Sequence, residues 1–326
     1  MAGGFALLLS LFGTPVLIRS LARRGYGQII RDDGPTSHHT KRGTPTMGGI
    51  FIIFSTIITI IFNIIWTKKY DYYSLMFIIF GLLYGFIGLI DDYHKFRKKR
   101  GITSSEKAFL QILIGVICSV IFIKLTGENS INFNFLNIAP IKNNFLFVFW
   151  FVLIFTATTN AVNITDGLDG LAVSTILPAL GFFGYICSIN SNSVHSNLTI
   201  CCYSLIGSCL GFLWYNSYPA QIFMGDVGSL YLGAVLAYLA IACKQELMLI
   251  LVGGIFVLET LSTIIQVLYY KTTKKRFFKM APYHHHLELC GLNENKITAR
   301  FTILSIILSL IALAILGWTF VTDIDF

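Results

Sequence analysis

Residues 145–170 read FLFVFWFVLIFTATTNAVNITDGLDG, an apolar run that breaks into an acidic turn. Residues 145–161 carry no charged side chain, and a run of this length suits a helix crossing the ~30 Å hydrocarbon core of a bilayer. The turn that follows places Asn163, Asp166 and Asp169 at steps of three, roughly one helical face. Gly167 and Gly170 let another group approach that face closely. The connection contains no Lys or Arg. Carboxylates without counter-charge at the edge of an apolar slab are costly unless something cationic sits among them. The turn reads as a functional surface.

The pattern recurs along the chain. Seven of the ten aspartates stand where apolar runs break: Asp32, Asp33, Asp91, Asp92, Asp166, Asp169 and Asp226, in RDDGP, GLIDDYHK, NITDGLDG and FMGDVGS. The 326 residues are 55% hydrophobic and 12% charged, with mean hydropathy +0.72. A soluble protein is nearer a quarter charged, so the composition specifies an all-α polytopic membrane protein, a single domain over 1–326. Ten runs qualify as transmembrane helices, at roughly 2–22, 47–66, 73–90, 107–126, 145–161, 171–189, 198–215, 228–243, 247–270 and 301–321. All but five of the 24 Lys and Arg (Lys68, Lys69, Lys124, Lys142 and Lys244) fall in 19–42, 91–107 and 271–300. That asymmetry predicts these connections in the cytoplasm and both termini outside. The net charge of +8 is then mostly a topology signal, with the lipid bilayer and anionic substrates as partners and no nucleic acid.

Smaller features agree. The first span lacks a basic start and a small-residue cleavage site, so it reads as an uncleaved helix that a few leading residues are expected to precede. The external loop 128–140 holds INFNFLNI, whose period of two predicts a short β-hairpin on the outer face. The seven cysteines show no metal-type spacing and read as small buried apolar side chains.

The cytoplasmic connections carry the chemistry. The first, rich in Gly and Pro, offers backbone amides with Lys41, Arg42, Thr44 and Thr46 as a phosphate cradle, or is a solvated connection. In the second, Asp91 and Lys95 lie one helical turn apart, and the adjacent Asp92 raises the need for a cation. In the fourth, Asp226 stands between Gly225 and Gly228, either as a helix N-cap or as a ligand. Phe223, three residues earlier, is an interfacial aromatic or a platform for a base. The fifth holds His284, His285 and His286, which suit a phosphate donor or acid/base group better than one metal ion, because consecutive histidines cannot converge from regular structure. Together these groups predict phosphoryl chemistry on a nucleotide diphosphate bound through Mg²⁺. The second reactant is a lipid whose head lies at the membrane edge.

TKRGTPTMGG, GLIDDYHK, NAVNITDGLDGLA, FMGDVGSLYLG and APYHHHLE resemble, in order and spacing, the signatures of the phospho-N-acetylmuramoyl-pentapeptide transferases. These belong to the polyprenyl-phosphate N-acetylhexosamine-1-phosphate transferase superfamily, and the resemblance covers essentially the whole chain. It implies a transfer from UDP-N-acetylmuramoyl-pentapeptide to undecaprenyl phosphate, giving lipid I and UMP, with Mg²⁺, on the inner face of a bacterial plasma membrane, in a homodimer. It also implies roles by position. Asp226 is the metal ligand; Asp91 and Asp92 are catalytic carboxylates, with Asp91 the one that orients or deprotonates the lipid phosphate. Asn163, Asp166 and Asp169 contact nucleoside and sugar, and Phe223 lies against uracil. Lys95, Asn216 and Gln266 line the nucleotide pocket, with Lys41 and Thr46 near it. The histidines touch the diphosphate or muramoyl portion, His285 among the catalytic groups and His284 and His286 among the substrate contacts. A sister transferase using UDP-N-acetylglucosamine is the nearest rival, and the histidine triplet argues against it. A transporter would carry its ionisable groups near mid-membrane rather than gathered at one edge.

Overall fold

The computed structural model describes residues 1–25, 27, 41, 43–133, 138–189 and 193–322. Asp32 and Asp33 lie outside these residues. In chain order the elements are α1 (Ala2–Arg23), α2 (Gly49–Thr67), α3 (Tyr72–Lys98), α4 (Ser104–Thr126), β1 (Ser130–Phe133) and β2 (Ile138–Lys142). They continue with α5 (Asn144–Thr165), α6 (Leu171–Ile189), α7 (Ser193–Asn216), α8 (Gly225–Ala242), α9 (Met248–Val252), α10 (Gly254–Thr273), α11 (Tyr283–Leu289) and α12 (Glu294–Thr322). Among the described residues, nine helices are long and apolar enough to cross a membrane: α1 to α8 and α12. The protein is a multi-pass membrane protein.

The expected span 247–270 needs correction. The chain breaks at Gly253 into the five-residue α9 and the separate α10. The two adjacent glycines, Gly253 and Gly254, lack the side-chain packing that would hold a helix continuous there. The hairpin expected in 128–140 forms as a two-stranded antiparallel sheet, with Ser130 opposite Lys142 and Ile131 opposite Ile141.

Helix ends follow local chemistry. Asp71 accepts from Ser74 N at the start of α3, and Thr103 with Glu106 makes a capping box at the start of α4. The α3 helix runs two turns past the expected membrane edge at residue 90, which carries Asp91, Asp92 and Lys95 out on a rigid rod.

The molecule is organised around α8, which is buried along nearly its whole length, with Leu230, Tyr231, Leu236 and Tyr238 inaccessible. It packs on α3 and α5, with α2 also in contact. Gly81, Gly85 and Gly88 form a stripe on α3 that meets Tyr231, Val227 and the Asp226 backbone of α8, so the two helices approach closely. Around Tyr238 a cluster of Phe77, Phe80 and Phe122 packs edge-on. By contrast α1 exposes Phe5, Leu8, Phe12 and Val16, and α12 exposes Ile303, Ile307 and Leu310. Outward apolar faces of this kind are satisfied by lipid, not water.

Candidate active site

The C-terminal ends of α3 and α5 and the starts of α4 and α8 converge at one end of the bundle. The α3 extension puts Asp91 and Asp92, both about 4% exposed, beside Asp226 at the first turn of α8. Lys95 Nζ reaches Asp91 Oδ2 at 2.8 Å, Asp226 Oδ1 at 2.7 Å and Asp92 Oδ1 at 3.7 Å. From α4, Lys107 pairs with the other Asp226 oxygen and lies 3.8 Å from Asp91 Oδ2. Three carboxylates thus share two ammonium groups. Backbone amides supply the rest: Ile102 N donates to Asp91 Oδ1 at 2.7 Å and Val227 N to Asp92 Oδ2 at 3.1 Å. Such hydrogen bonds fix each carboxylate in one orientation.

The turn carrying Asp226 is itself clamped. Gly225 has φ +76°, a left-handed conformation that glycine adopts without strain. The segment 45–49 runs alongside it: Phe223 N donates to Pro45 O, Gly48 N to Phe223 O and Gly49 N to Met224 O. Thr46 stands next to Gly225 in this clamp. The TPTMGG motif therefore acts as a backbone splint for Asp226. Asn216, 2% exposed, closes the preceding loop by donating to Ile222 O at 2.9 Å, while its Oδ1 is buried with no hydrogen bond among the described residues.

The NITDGLDG turn caps the end of α5. Asn163 donates to Ser229 Oγ of α8 at 2.8 Å. Among the described residues the Asp166 carboxyl makes no hydrogen bond or ion pair. Burial first, then the charges of Asp226 and Asp92, push it up to about 8. Asp169 is buried and fully engaged: it takes Lys41 at 2.7 Å and Ala220 N at 2.9 Å. Lys41 also pairs with Glu294 at the start of α12, and Glu294 accepts from Asp169 N. Lys41 is thus a strut across three segments.

The three histidines take different partners, although the His284 and His285 rings pack 4.2 Å apart. His284 is fully buried against Glu259 of α10; His285 Nδ1 lies 2.7 Å from Glu288 Oε2; His286 accepts from Lys279 N and stacks on Tyr283. Gln266 accepts from Phe277 N and Phe278 N, fastening the loop that follows α10. Phe223 is partly exposed beside the Asp226 turn.

Sequence reasoning missed Lys107, Glu259 and Glu294. Lys107 served only as a topology count, although a lysine in the first turn of an otherwise apolar span was its signal. Glu259 stood in plain view as a carboxylate inside an expected span, which by itself marks a functional group. Glu294 gave no signal apart from its place at a helix start.

Comparison with known proteins adds a second line. The family model described as glycosyl transferase family 4 matches residues 74–244, and signature 1 of the phospho-N-acetylmuramoyl-pentapeptide-transferases matches residues 41–53. A phospho-N-acetylmuramoyl-pentapeptide-transferase of Buchnera aphidicola subsp. Baizongia pistaciae is 45% identical, over 95% of this chain and 96% of its own. Proteins of the same name from Kineococcus radiotolerans and Rickettsia prowazekii are each 42% identical. They cover 94% and 95% of this chain, and 93% and 91% of their own.

Proposed function

The chain belongs to the phospho-N-acetylmuramoyl-pentapeptide-transferase family, and from that premise we infer that it moves phospho-N-acetylmuramoyl-pentapeptide from UDP-N-acetylmuramoyl-pentapeptide to undecaprenyl phosphate. The products are lipid I and UMP, in the first membrane step of peptidoglycan synthesis. The observation that carries the reading is the meeting of Asp91, Asp92 and Asp226 around Lys95 and Lys107. Sugar-nucleotide transfer to a phosphate puts two anionic reactants side by side, and a site that balances acids against ammonium groups suits that problem.

An oxygen of the lipid phosphate attacks the β-phosphorus in line; the bond from that phosphorus to the bridging oxygen breaks, and the oxygen leaves with UMP. A phosphate monoester has a second pKa near ~6, so the acceptor needs positioning more than deprotonation. Asp91, held by Ile102 N and Lys95, is placed to orient it. Lys95 and Lys107 would exchange carboxylate partners for phosphate oxygens as substrate enters. The competing scheme makes Asp91 or Asp92 a nucleophile. UMP exchange into the sugar nucleotide without acceptor lipid would support that scheme and defeat the single displacement.

The residues fit Mg²⁺. Asp226 presents both oxygens to cations already, and Asp166 is an acid without a partner among the described residues. Mg²⁺ takes one or two carboxylates and completes its shell with phosphate and water. Asp226, with Asp91 or Asp92, would hold it. When bound, the ion would neutralise charge on the diphosphate and on the departing UMP.

The reading also places the site on the cytoplasmic side of a bacterial plasma membrane, with α10 joining the nine apolar helices as a tenth span, both termini outside and a homodimer as the assembly. The test is purified protein in detergent with undecaprenyl phosphate, Mg²⁺ and either UDP-N-acetylmuramoyl-pentapeptide or UDP-N-acetylglucosamine. UMP release with the first alone is expected; release with the second alone would favour the sister activity.

A further inference from the structure

We propose that Glu259 is a positioning residue that acts through His284 to set the Asp166–Asp169 turn for the sugar nucleotide. The inference rests on the transfer reading above and deepens it.

Glu259 sits in α10 with no exposure to solvent, and a buried carboxylate must find donors. Both of its oxygens are given to one residue. Oε1 accepts from the His284 backbone N–H at 3.1 Å, and Oε2 faces His284 Nδ1 at 2.9 Å. A carboxylate accepts, so Nδ1 carries the proton and the ring has one orientation. Its far atom, Nε2, is buried and has no hydrogen bond among the described residues.

That atom faces the acidic turn. A β-carbon built at Gly167 would strike Nε2 directly, so the turn rests on the imidazole through a residue with no side chain. Asp166 and Leu168 flank the contact, and Asp169 lies just beyond. An apolar pair of similar volume would fill this space without burying an acid. What the acid adds is a fixed ring plane and tautomer, as partner carboxylates do for ligating histidines. Neighbouring His285 pairs with Glu288 and packs its ring 4.2 Å from that of His284, while His286 is taken by Lys279 and Tyr283. Within the triplet, His284 is the one whose buried Nε2 meets Gly167 of the turn.

The test is a double-mutant cycle on the full chain in detergent, with Glu259→Gln, His284→Gln and the pair. Glu259→Gln should raise KM for the sugar nucleotide about tenfold or more while KM for the acceptor lipid stays within about twofold. The pair should be no worse than His284→Gln alone, because Glu259 acts only through the ring. Additive losses, or equal rises in both KM values, overturn the proposal. Should Glu259→Gln fail to fold, Gly167→Ala is the second handle. It should show the same KM signature, relieved when His284→Ala makes room; wild-type KM in Gly167→Ala overturns the proposal. Calorimetric binding of UMP, which needs no turnover, should weaken in parallel. A wild-type chain without transfer activity would refute the transferase reading, and unchanged UMP binding in the variants would refute the role of Glu259.

Discussion

Asp226 divides its carboxylate between Lys95 of α3 and Lys107 of α4. Asp226→Asn keeps the shape but forfeits the charge, and UMP release should fall below detection while the melting profile is preserved; retained turnover removes its assigned role. Lys107→Gln leaves Asp226 with one ammonium partner. A loss of about 10²-fold in kcat is expected from removing one preorganised charge, measured by the same UMP assay. Asp166 supplies a pH signature. Its folded value of about 8 stands above its ordinary 3.8, so the folded chain holds a proton that the unfolded chain has released. Its contribution to stability is fully present at acid pH and is lost as pH rises through 8. Thermal unfolding at pH 6 and pH 8.5 should show a falling midpoint in the wild type and a smaller fall in Asp166→Asn. Equal slopes in the two proteins would show that another group controls the titration.

Between elements, the decisive contact is α3 on α8. Asp91 and Asp92 meet Asp226 only because Gly88 lets α3 lie on the Asp226 backbone, where a β-carbon would overlap the carbonyl. Gly88→Ala should cost about 1–3 kcal/mol by overpacking and should depress activity further by spreading the carboxylates. Gly181 of α6 is the control, since a β-carbon there meets open space. Gly181→Ala should be neutral or stabilise by about 0.5–1 kcal/mol through helix propensity. Thermal melts paired with UMP release separate the two effects. The break at Gly253 belongs to this scale also: it makes α10 a separate helix, the one that carries Glu259 and Gln266.

At the scale of the whole molecule, burial runs from the wrapped α8 outward to α1, α4 and α12, whose apolar faces look to lipid. The orientation of that bundle has a direct probe. Of the seven cysteines, Cys290 alone is exposed, and it follows α11 on the side expected to be cytoplasmic. A membrane-impermeant maleimide should leave Cys290 unlabelled in intact cells and label it in inverted vesicles. Labelling in intact cells would reverse the topology.

Much of this was legible in the chain alone. Membrane insertion follows from apolar run length, because hydrocarbon leaves a backbone few options besides the helix. The hairpin near Ser130 followed from a period of two, and the acid-bearing turns from their cost beside lipid. What local pattern could not supply was pairing between separate helices and loops. Lys107 with Asp226, Lys41 with Glu294, and Glu259 beneath His284 and Gly167 arise from helix packing, where close approach depends on glycines facing particular neighbours. The histidine triplet makes the point most sharply: three identical letters in a row, sent by one helical turn toward three different partners.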